Sequence, residues 1–546
     1  MDESPRTPRF VGRHGTLGLT FALMFAALAP LACQQGCRAQ QATQPENNAN
    51  PAGVPTLRVY VVSDLAGALE PCGCVKDQLG GLDHFAAWVN SERKQVPSDI
   101  IVTAGPLFFL DPELKSDRAS QDVAKAETIA RALGTLKLAA LSPGENDFAA
   151  KVEGLKKLRD LAGAEVLFAN AKDGAKEPVY ARSTIVTRGD LKIGLIGVAA
   201  PDGMDVAPAT AAVKDEVRAL KGKGVELIIA LAAVGRGEAK RIADLVPELS
   251  VIVVGSRGGK GDANTETPGG ERIGNVIIAE TGNHLQTAVA VDFFVRDGKL
   301  QFADGSALEQ EGKRKELQHR IDELRGKIAD WERDKKIDAR DLDARKADLR
   351  KLESERAELD RTKPPTQGSF FRYTVKEIRE SLGSDQGVTD AMHVHYKQIN
   401  EANKIAFAGR VPKPAAPNEP SYIGVDACSK CHAQERKVWD GTAHAHAYAT
   451  LSTQFKEFNL DCVSCHVTGY DIPGGSTVTH VDKLQDVQCE VCHGAGSKHA
   501  AAPEKVRPPI PMPKGDQCLA CHHAPHVHTF NPSEKMSAIL GPGHGL

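Results

Sequence analysis

Four short stretches near the C-terminus decide what this chain can fold into: CSKCH at residues 428–432, CVSCH at 462–466, CEVCH at 489–493 and CLACH at 518–522. In each, two cysteines three positions apart are followed at once by a histidine. This is the attachment sequence of a c-type haem, because two thioethers fix the porphyrin and the adjacent histidine becomes the proximal iron ligand. The sequence therefore predicts four covalently attached haem c groups. The attachment cysteines are Cys428, Cys431, Cys462, Cys465, Cys489, Cys492, Cys518 and Cys521, and the proximal ligands are His432, His466, His493 and His522.

The surrounding region is crowded with the same residue types. Eight of the twelve cysteines and fourteen of the eighteen histidines lie after residue 388. A single Cys-x-x-Cys pair is more typical of zinc or of a disulfide, but a histidine follows all four pairs here, which favours haem. Four porphyrins in residues 421–546 would leave little room for an apolar core. We therefore expect a mainly helical and irregular multihaem domain that does not fold without haem.

Three further motifs make residues 421–546 similar to a known family. They are Trp439-x-x-Thr442-x-His444, Thr468-Gly469-Tyr470, and the stretch from Cys489-Glu490 to His499. The region resembles the tetrahaem cytochrome c family whose members accept electrons from hydroxylamine oxidoreductase. The resemblance implies histidine on both faces of most irons, with one iron that can be left five-coordinate. Carried across, it makes His444 and His499 distal iron ligands.

Two other histidines are distal candidates by position alone. His544 closes the chain beyond the last motif, and His395 lies on the helix predicted before the domain. Met392, Met512 and Met536 are alternative ligands, which would raise the haem potential relative to two histidines.

The middle of the chain has the rhythm of a layered α/β fold. Short β-branched runs alternate with amphipathic stretches between Leu57 and about Phe302, as expected when strands and helices alternate. The runs are LRVYVVSD, DIIVTAG, EVLFANA, LKIGLIGV, ELIIALAA, SVIVVGS and NVIIAE.

The turns after these runs resemble a second family. They include Ser63-Asp64-Leu65-Ala66, Ala104-Gly105-Pro106, Gly144-Glu145-Asn146-Asp147 and Val254-Gly255. Over residues 56–303 the order of the pieces resembles the calcineurin-like metallophosphoesterases, within them the 5′-nucleotidase branch. That family holds two divalent ions at these turns.

Most of the metal-binding positions implied by that resemblance are occupied by other residues. Asp64 is retained, but the other positions carry Ala66, Pro106, Glu145-Asn146, Ala233 and Ser256-Arg257-Gly258. Alanine and proline side chains cannot bind a hard cation, and a dinuclear phosphoesterase needs nearly all of its ligands. We therefore predict an inactive phosphoesterase-like domain that serves as a scaffold or docking platform.

Cys72 and Cys74 lie in this domain and have two interpretations. After export they can form a strained disulfide across one glycine, or they can act as a redox-active or soft-metal thiol pair. The sequence leaves both open.

The N-terminus has the order of an export signal. Arg6, Arg9 and Arg13 precede an apolar run that is too short to span a bilayer comfortably. Leu31-Ala32-Cys33 resembles a lipoprotein signal, while cleavage after Ala39 is the alternative. We assign residues 1–33 to the signal and residues 34–55 to a flexible linker.

The remaining divisions follow from composition. Residues 56–305 form the phosphoesterase-like domain, and residues 308–362 form a charged helical hairpin. Its seams are Leu317, Ile321, Leu324, Ile328 and Trp331, then Leu342, Leu349, Leu352 and Leu359. The hairpin could also make the protein a dimer. Residues 363–420 are predicted to be helices and a Pro-rich linker, and residues 421–546 the tetrahaem domain.

The function predicted from these parts is electron relay between haems in an exported protein, periplasmic or membrane-anchored and facing the periplasm or cell exterior. Its partners would be a redox donor and a redox acceptor. A formal net charge of −3 gives no reason to expect nucleic acid. One alternative is a reductase or oxidase of a small nitrogen or sulfur species at an open haem. The other is a phosphoesterase with a cytochrome tail, which the missing ligands disfavour.

Overall fold

The computed structural model describes residues 53–71, 78–96, 98–172, 179–261, 264–296, 298–306, 311–333, 339–360, 365, 367–523, 527, 530–541 and 544. The predicted export signal at 1–33, nearly all of the predicted linker, and Cys33, Cys72 and Cys74 lie outside the described residues. No helix among the described residues is long and apolar enough to cross a membrane.

Thirteen strands and fifteen α-helices are present in the described residues. The strands are β1 (Leu57–Ser63), β2 (Asp99–Gly105), β3 (Leu138–Pro143), β4 (Glu165–Val166), β5 (Ser183–Arg188), β6 (Leu191–Ala199), β7 (Leu227–Ala233), β8 (Val251–Gly255), β9 (Glu271–Ile273), β10 (Val276–Glu280), β11 (Thr287–Phe294), β12 (Ala303–Asp304) and β13 (Phe370–Glu377). The helices are α1 (Leu82–Arg93), α2 (Ala119–Thr135), α3 (Lys151–Ala162), α4 (Ala209–Gly222), α5 (Arg236–Leu245), α6 (Glu311–Arg333), α7 (Ala339–Asp360), α8 (Gln386–Ala406), α9 (Val425–Cys428), α10 (Ala433–Asp440), α11 (Ala447–Ser452), α12 (Val463–His466), α13 (Cys489–His493), α14 (Ser497–Ala501) and α15 (Pro532–Lys535).

Two sheets form the centre of the N-terminal part. The first has the order β12-β13-β11-β1-β2-β3-β4, and the second has the order β5-β6-β7-β8-β10-β9. Neighbours β1, β2, β3 and β4 run parallel, as do β6, β7, β8 and β10. Because parallel strands end at the same edge, the turns after β1, β2 and β3 come together at one end of the first sheet.

The alternation of side chains along the strands makes four layers. In β1, Val59 and Val61 point into an apolar core shared with β6, β7 and β8, while Tyr60 and Val62 point into a second core with α1 and α2. The second sheet buries its outer face against α4 and α5. Both faces of each sheet are therefore covered, which is why the strands read as continuous apolar runs. The predicted layered α/β fold is confirmed.

One prediction for this region was wrong. We expected helices and a linker over residues 363–420; α8 lies there, but residues 370–377 form β13, which pairs antiparallel with β11 along its whole length. Phe370 and Phe371 are buried there, and the aromatic and β-branched residues of this segment suit a pleated sheet better than a helix. The first sheet is thus completed by residues beyond the predicted boundary at 305. We call the sheets with α1–α5 and α8 the front domain.

The predicted helical hairpin lies between β12 and β13. Helices α6 and α7 pack through Leu317, Ile321 and Leu352, with Leu324 and Leu349 at the edge of the contact. Arg325 pairs with Glu353 across the two helices. The hairpin is therefore an insertion into the first sheet and not a separator between domains.

After α8 the chain forms short helices joined by irregular segments. Among the described residues of this segment, only Val463, Val467 and Val481 form a compact buried apolar cluster, with Tyr448 and Tyr470 beside them. A region of this length has little core of its own, as expected for a domain completed by large prosthetic groups. We call residues 421–546 the cytochrome region.

Candidate functional site

Each Cys-x-x-Cys-His motif lies on a short helical turn. The backbone N–H of His432 donates to the carbonyl of Cys428 at 3.0 Å, and that of His522 donates to the carbonyl of Cys518 at 2.8 Å. These i+4 bonds bring the histidine to the same side of the turn as the first cysteine. None of the eight motif cysteines is in a disulfide. The backbone thus presents two thiols and one imidazole together, as haem attachment requires.

Three of the four proximal histidines face a second histidine. The ring centroids of His432 and His499 are 6.2 Å apart, as are those of His522 and His444. His493 and His544 are 6.4 Å apart. A metal midway between two imidazoles, with metal–nitrogen bonds of ~2 Å, holds the ring centroids about 6 Å apart. The residues present therefore fit a haem iron between the members of each pair.

Hydrogen bonds at Nδ1 of three of these histidines leave the Nε2 nitrogen available to bind iron. The Nδ1 atoms of His466, His493 and His499 lie 2.5, 3.0 and 2.6 Å from the carbonyl oxygens of Ala447, Ile510 and Val506. A carbonyl can only accept, so each Nδ1 carries the proton and each Nε2 has its lone pair available. Such a bond fixes the tautomer and the orientation of a metal-binding imidazole.

The second motif differs from the other three. Among the described residues, no histidine ring contacts His466 in the way that the three pairs contact each other. His395 is on α8 with 4% of its surface exposed, and its Nδ1 is 3.2 Å from Oγ1 of Thr128. Burial lowers the pKa of His395 to about 4. The structure therefore brings His444, His499 and His544 opposite proximal histidines, but it does not bring His395 opposite one.

Contacts between cysteines give the spatial order of the motifs. The thiol of Cys428 is within hydrogen-bond reach of Cys489, which joins the first and third motifs. Cys465 is in the same relation to Cys521, which joins the second and fourth. Cys492 is close enough to Cys518 to interact electrostatically. These interactions pair the first motif with the third and the second with the fourth, and they favour the order first, third, fourth, second, which the spacing along the chain does not reveal.

Glu490 ties the first motif to the third. It is 3% exposed, and its carboxylate accepts from the backbone N–H groups of Ile423, Gly424 and Gly496. Its neighbour Gln488 accepts from Val425 N at 2.6 Å. A buried carboxylate costs free energy unless hydrogen bonds compensate, and here three donors do so. Sequence reasoning assigned Glu490 no role, although an acidic residue inside a Cys-x-x-Cys motif was a signal.

The strand ends of the front domain are also brought together. Asp64, after β1, accepts from the backbone N–H and the hydroxyl of Ser256, after β8, both at 2.9 Å. Asn146, after β3, donates to the carbonyl of Gly259 and accepts from its N–H. The strand-end residues that the resemblance predicted to lie together therefore do so, but they bond to one another.

Asp147 is the other carboxylate at this edge. Its oxygens accept from the N–H groups of Leu107, Phe108 and Gly144 at 2.8–3.0 Å, and its side chain is inaccessible to solvent. Burial raises the pKa of both Asp64 and Asp147 to about 7 in spite of these donors. Across the part of the chain that is described, no three His, Cys, Asp or Glu side chains are grouped to hold a metal ion.

Comparison with known proteins identifies the C-terminal motifs. Residues 427–494 match the sequence model of a family described as cytochrome c554 and c-prime. The chain is also 32% identical to cytochrome c-554 of Nitrosomonas europaea, in a match that covers 18% of this chain and 57% of that protein. The chain thus spans little more than half the length of this curated relative. The predicted resemblance of the cytochrome region is confirmed, and membership of a cytochrome c family implies covalently bound haem c.

Solved structures that are similar to part of the chain come from another group. One is a 5′-nucleotidase precursor from Thermus thermophilus, with 13% identity and a TM-score of 0.42, covering 82% of this chain and 73% of that one. Another is the NAD nucleotidase of Haemophilus influenzae, with 18% identity and a TM-score of 0.37, covering 44% and 48%.

Proposed function

We propose that this protein is an exported tetrahaem c-type cytochrome that relays electrons. The observation that carries the proposal is the set of three facing histidine pairs, 6.2–6.4 Å apart, each made of a motif histidine and one from elsewhere in the cytochrome region. Haem c, once attached, supplies one-electron transfer at its iron. Two imidazoles on an iron leave no position for a substrate, so these three sites are suited to electron transfer alone.

The chain's own residues arrange the four sites as a path. The interactions between motif cysteines support the order first, third, fourth, second. Backbone carbonyls at Ala447, Ile510 and Val506 hold the histidine rings in fixed tautomers, so little reorganisation accompanies a change of iron charge. Electrons would therefore enter near the first or the second motif and leave at the other end.

A second function is supported at one site. Because His466 faces no second histidine among the described residues, the second motif can hold an open iron. This supports the reductase or oxidase alternative, in which a small nitrogen or sulfur species binds there. The two functions are compatible if the path delivers electrons to that site.

The front domain has the role of a scaffold in this proposal. Its retained carboxylate Asp64 accepts hydrogen bonds from Ser256, the nearby Asp147 accepts from backbone N–H groups, and its other metal positions carry Ala66, Pro106 and Ala233. Phosphoesterase activity needs a clamp of metal ligands that these residues do not supply. Export, a lipid anchor at Cys33, dimerisation through the hairpin and the identity of the redox partners remain proposals from the sequence.

Low-temperature electron paramagnetic resonance of the oxidised, haem-loaded protein tests the proposal. We expect roughly three irons in four to be low-spin, with the remaining one high-spin. Replacing His499 with alanine should convert one more iron to high-spin. His480→Ala is the matched control, because its ring binds Thr477 and Thr479 and faces no proximal histidine.

Two results would count against this function. Fewer than four haems in the mature protein would break the path, and an unchanged spin count in His499→Ala would remove the basis for the paired sites. Turnover of hydroxylamine, nitrite or sulfite, blocked by cyanide, would instead move the second function ahead of the first.

A further inference from the structure

One stripe of α2 and one of α8 together face the segment that precedes the second motif. On α2 and its N-cap, the residues at spacings of three, four and three are Arg118, Gln121, Lys125 and Thr128, which is one face of a helix. Residues of α8 at the same kind of spacing, from Val388 to Asn403, are buried. The segment they face is residues 456–461, which leads directly into Cys462.

Side-chain amides of the two helices bind the backbone of this segment. Asn400 accepts from the N–H of Phe458 at 3.0 Å, and Asn403 donates to its carbonyl at 2.9 Å. Gln121 accepts from Leu460 N at 3.0 Å and also accepts from Asn403 at 2.8 Å. All three amides are buried, so breaking these bonds would leave unpaired polar groups. The contact is therefore specific and well packed. We call this contact between α2, α8 and residues 456–461 the joint.

Charged residues also take part in the joint, at the C-terminal end of residues 456–461. The carboxylate of Asp461 pairs with the guanidinium of Arg118 and with Nζ of Lys125, the latter at 3.0 Å. These two cations hold the pKa of Asp461 well below its usual range. At the other end of the segment, Nζ of Lys456 binds Oε1 of Glu70 and lies 4.2 Å from the ring centre of Tyr396. The front domain thus places two cations against the residue next to a haem-attachment cysteine.

We propose that the front domain sets the reduction potential of the second haem. This deepens the proposed function, because it assigns the control of one of its four sites to named residues of another domain. Consecutive Cα atoms are about 3.8 Å apart, so a porphyrin attached at Cys462 would lie close to Asp461 and its two partners. The charged side chains are 19–30% exposed, which leaves their field only partly screened by solvent.

The sign of the effect follows from the charges. A haem gains negative charge on reduction, so a nearby cation stabilises the reduced state and raises the potential. Lys125→Met removes one cation and should lower the potential of the second haem. Asp461→Asn removes one anion, leaves both cations and the pair of Arg118 with Asp122, and should raise the potential. Shifts of opposite sign at one haem are the signature of this cluster.

The experiment is a spectroelectrochemical titration of the full-length, haem-loaded protein, in which the second haem is followed by its high-spin signal. Arg131→Met is the matched control. It also removes one cation from α2, but Arg131 pairs with Glu127 and is 55% exposed. We expect one of four couples to move down in Lys125→Met and up in Asp461→Asn, and none to move in Arg131→Met.

The outcomes are distinct. Unchanged potentials in Lys125→Met, or shifts of the same sign in both variants, would overturn the inference while leaving four reversible couples and the relay intact. Missing couples in the unmodified protein would instead refute the proposed function. If Asp461→Asn does not fold, Lys125→Met and Arg118→Met decide the question, because both should lower the same potential.

Discussion

Glu490 should contribute strongly to the stability of the contact between the first and third motifs. Its carboxylate is 3% exposed and accepts from Ile423 N at 3.0 Å, Gly424 N at 2.8 Å and Gly496 N at 2.7 Å. Glu490→Ala removes the acceptor from all three donors. A hydrogen bond to a charged group contributes ~1.5–3 kcal/mol net, so three bonds correspond to about 4.5–9 kcal/mol. We expect the lower end, because water can enter the space that the side chain leaves.

Glu490→Gln should lower the stability by less than Glu490→Ala does. The amide keeps one oxygen, which can still accept from Ile423 and Gly496, but its NH₂ group then faces the N–H of Gly424. The loss should be about one charge-assisted bond, or roughly 1.5–3 kcal/mol. Glu504→Ala is the control, because Glu504 is an exposed carboxylate of the same region and its loss should change stability by less than ~0.5 kcal/mol.

The assay is guanidinium unfolding of the haem-loaded variants, followed by Soret circular dichroism. The expected order of unfolding free energy is wild type, then Glu490→Gln, then Glu490→Ala, with Glu504→Ala equal to wild type. If Glu490→Ala matched Glu504→Ala, the three bonds would contribute nothing net, and the reasoning that a buried carboxylate joins the two motifs would be refuted.

The front domain supports two further predictions. Burial raises the pKa of Asp147 to about 7, whereas an unfolded aspartate has a pKa near 3.8. Between these two pH values the native state binds a proton that the unfolded state does not. The free energy of unfolding should therefore fall as pH rises from about 4 to about 7. Asp147→Asn cannot titrate, and urea unfolding at several pH values should show a flatter slope over that window; an unchanged slope would assign the dependence elsewhere. For catalysis, added Mn²⁺ should give no hydrolysis of bis(p-nitrophenyl) phosphate above background, and metal-dependent turnover that is lost in Asp64→Asn would reverse that expectation.

The sequence predicted the layered fold well where local patterns carry the information. Strands β1, β2, β6, β7, β8 and β10 coincide with apolar β-branched runs, because a strand buried on both faces must be apolar throughout. Strand β3 was missed because Leu138–Pro143 is rich in alanine, which has low strand propensity. Strand β13 was missed because a long charged hairpin separates it from its partner β11, and no local pattern records so distant a pairing.

The haem motifs are local and were predictable, but their relations to each other are not. The spacing of each motif follows from two vinyl groups and one iron, so it can be read from five residues. Which histidine faces which motif depends on how the chain folds back. His544 lies opposite His493 although 50 intervening residues separate them. The order of the four motifs in space is likewise a property of tertiary contacts between cysteines, which no repeat in the sequence encodes.

The joint between the domains lies on a different surface of the front domain from its strand ends. In open α/β folds, ligands bind at the carboxyl ends of strands, but at that edge Asp64, Asn146 and Asp147 are held by bonds within the protein. The contact with the cytochrome region is instead made by the outer helices α2 and α8, through Gln121 and Asn403. A layered sheet covered on both faces is a rigid base, and rigid elements position a site more accurately than loops do. Under the proposal above, this fold would act through its outer helices and not through its strand ends, and the charges of α2 would act on the haem attached at Cys462.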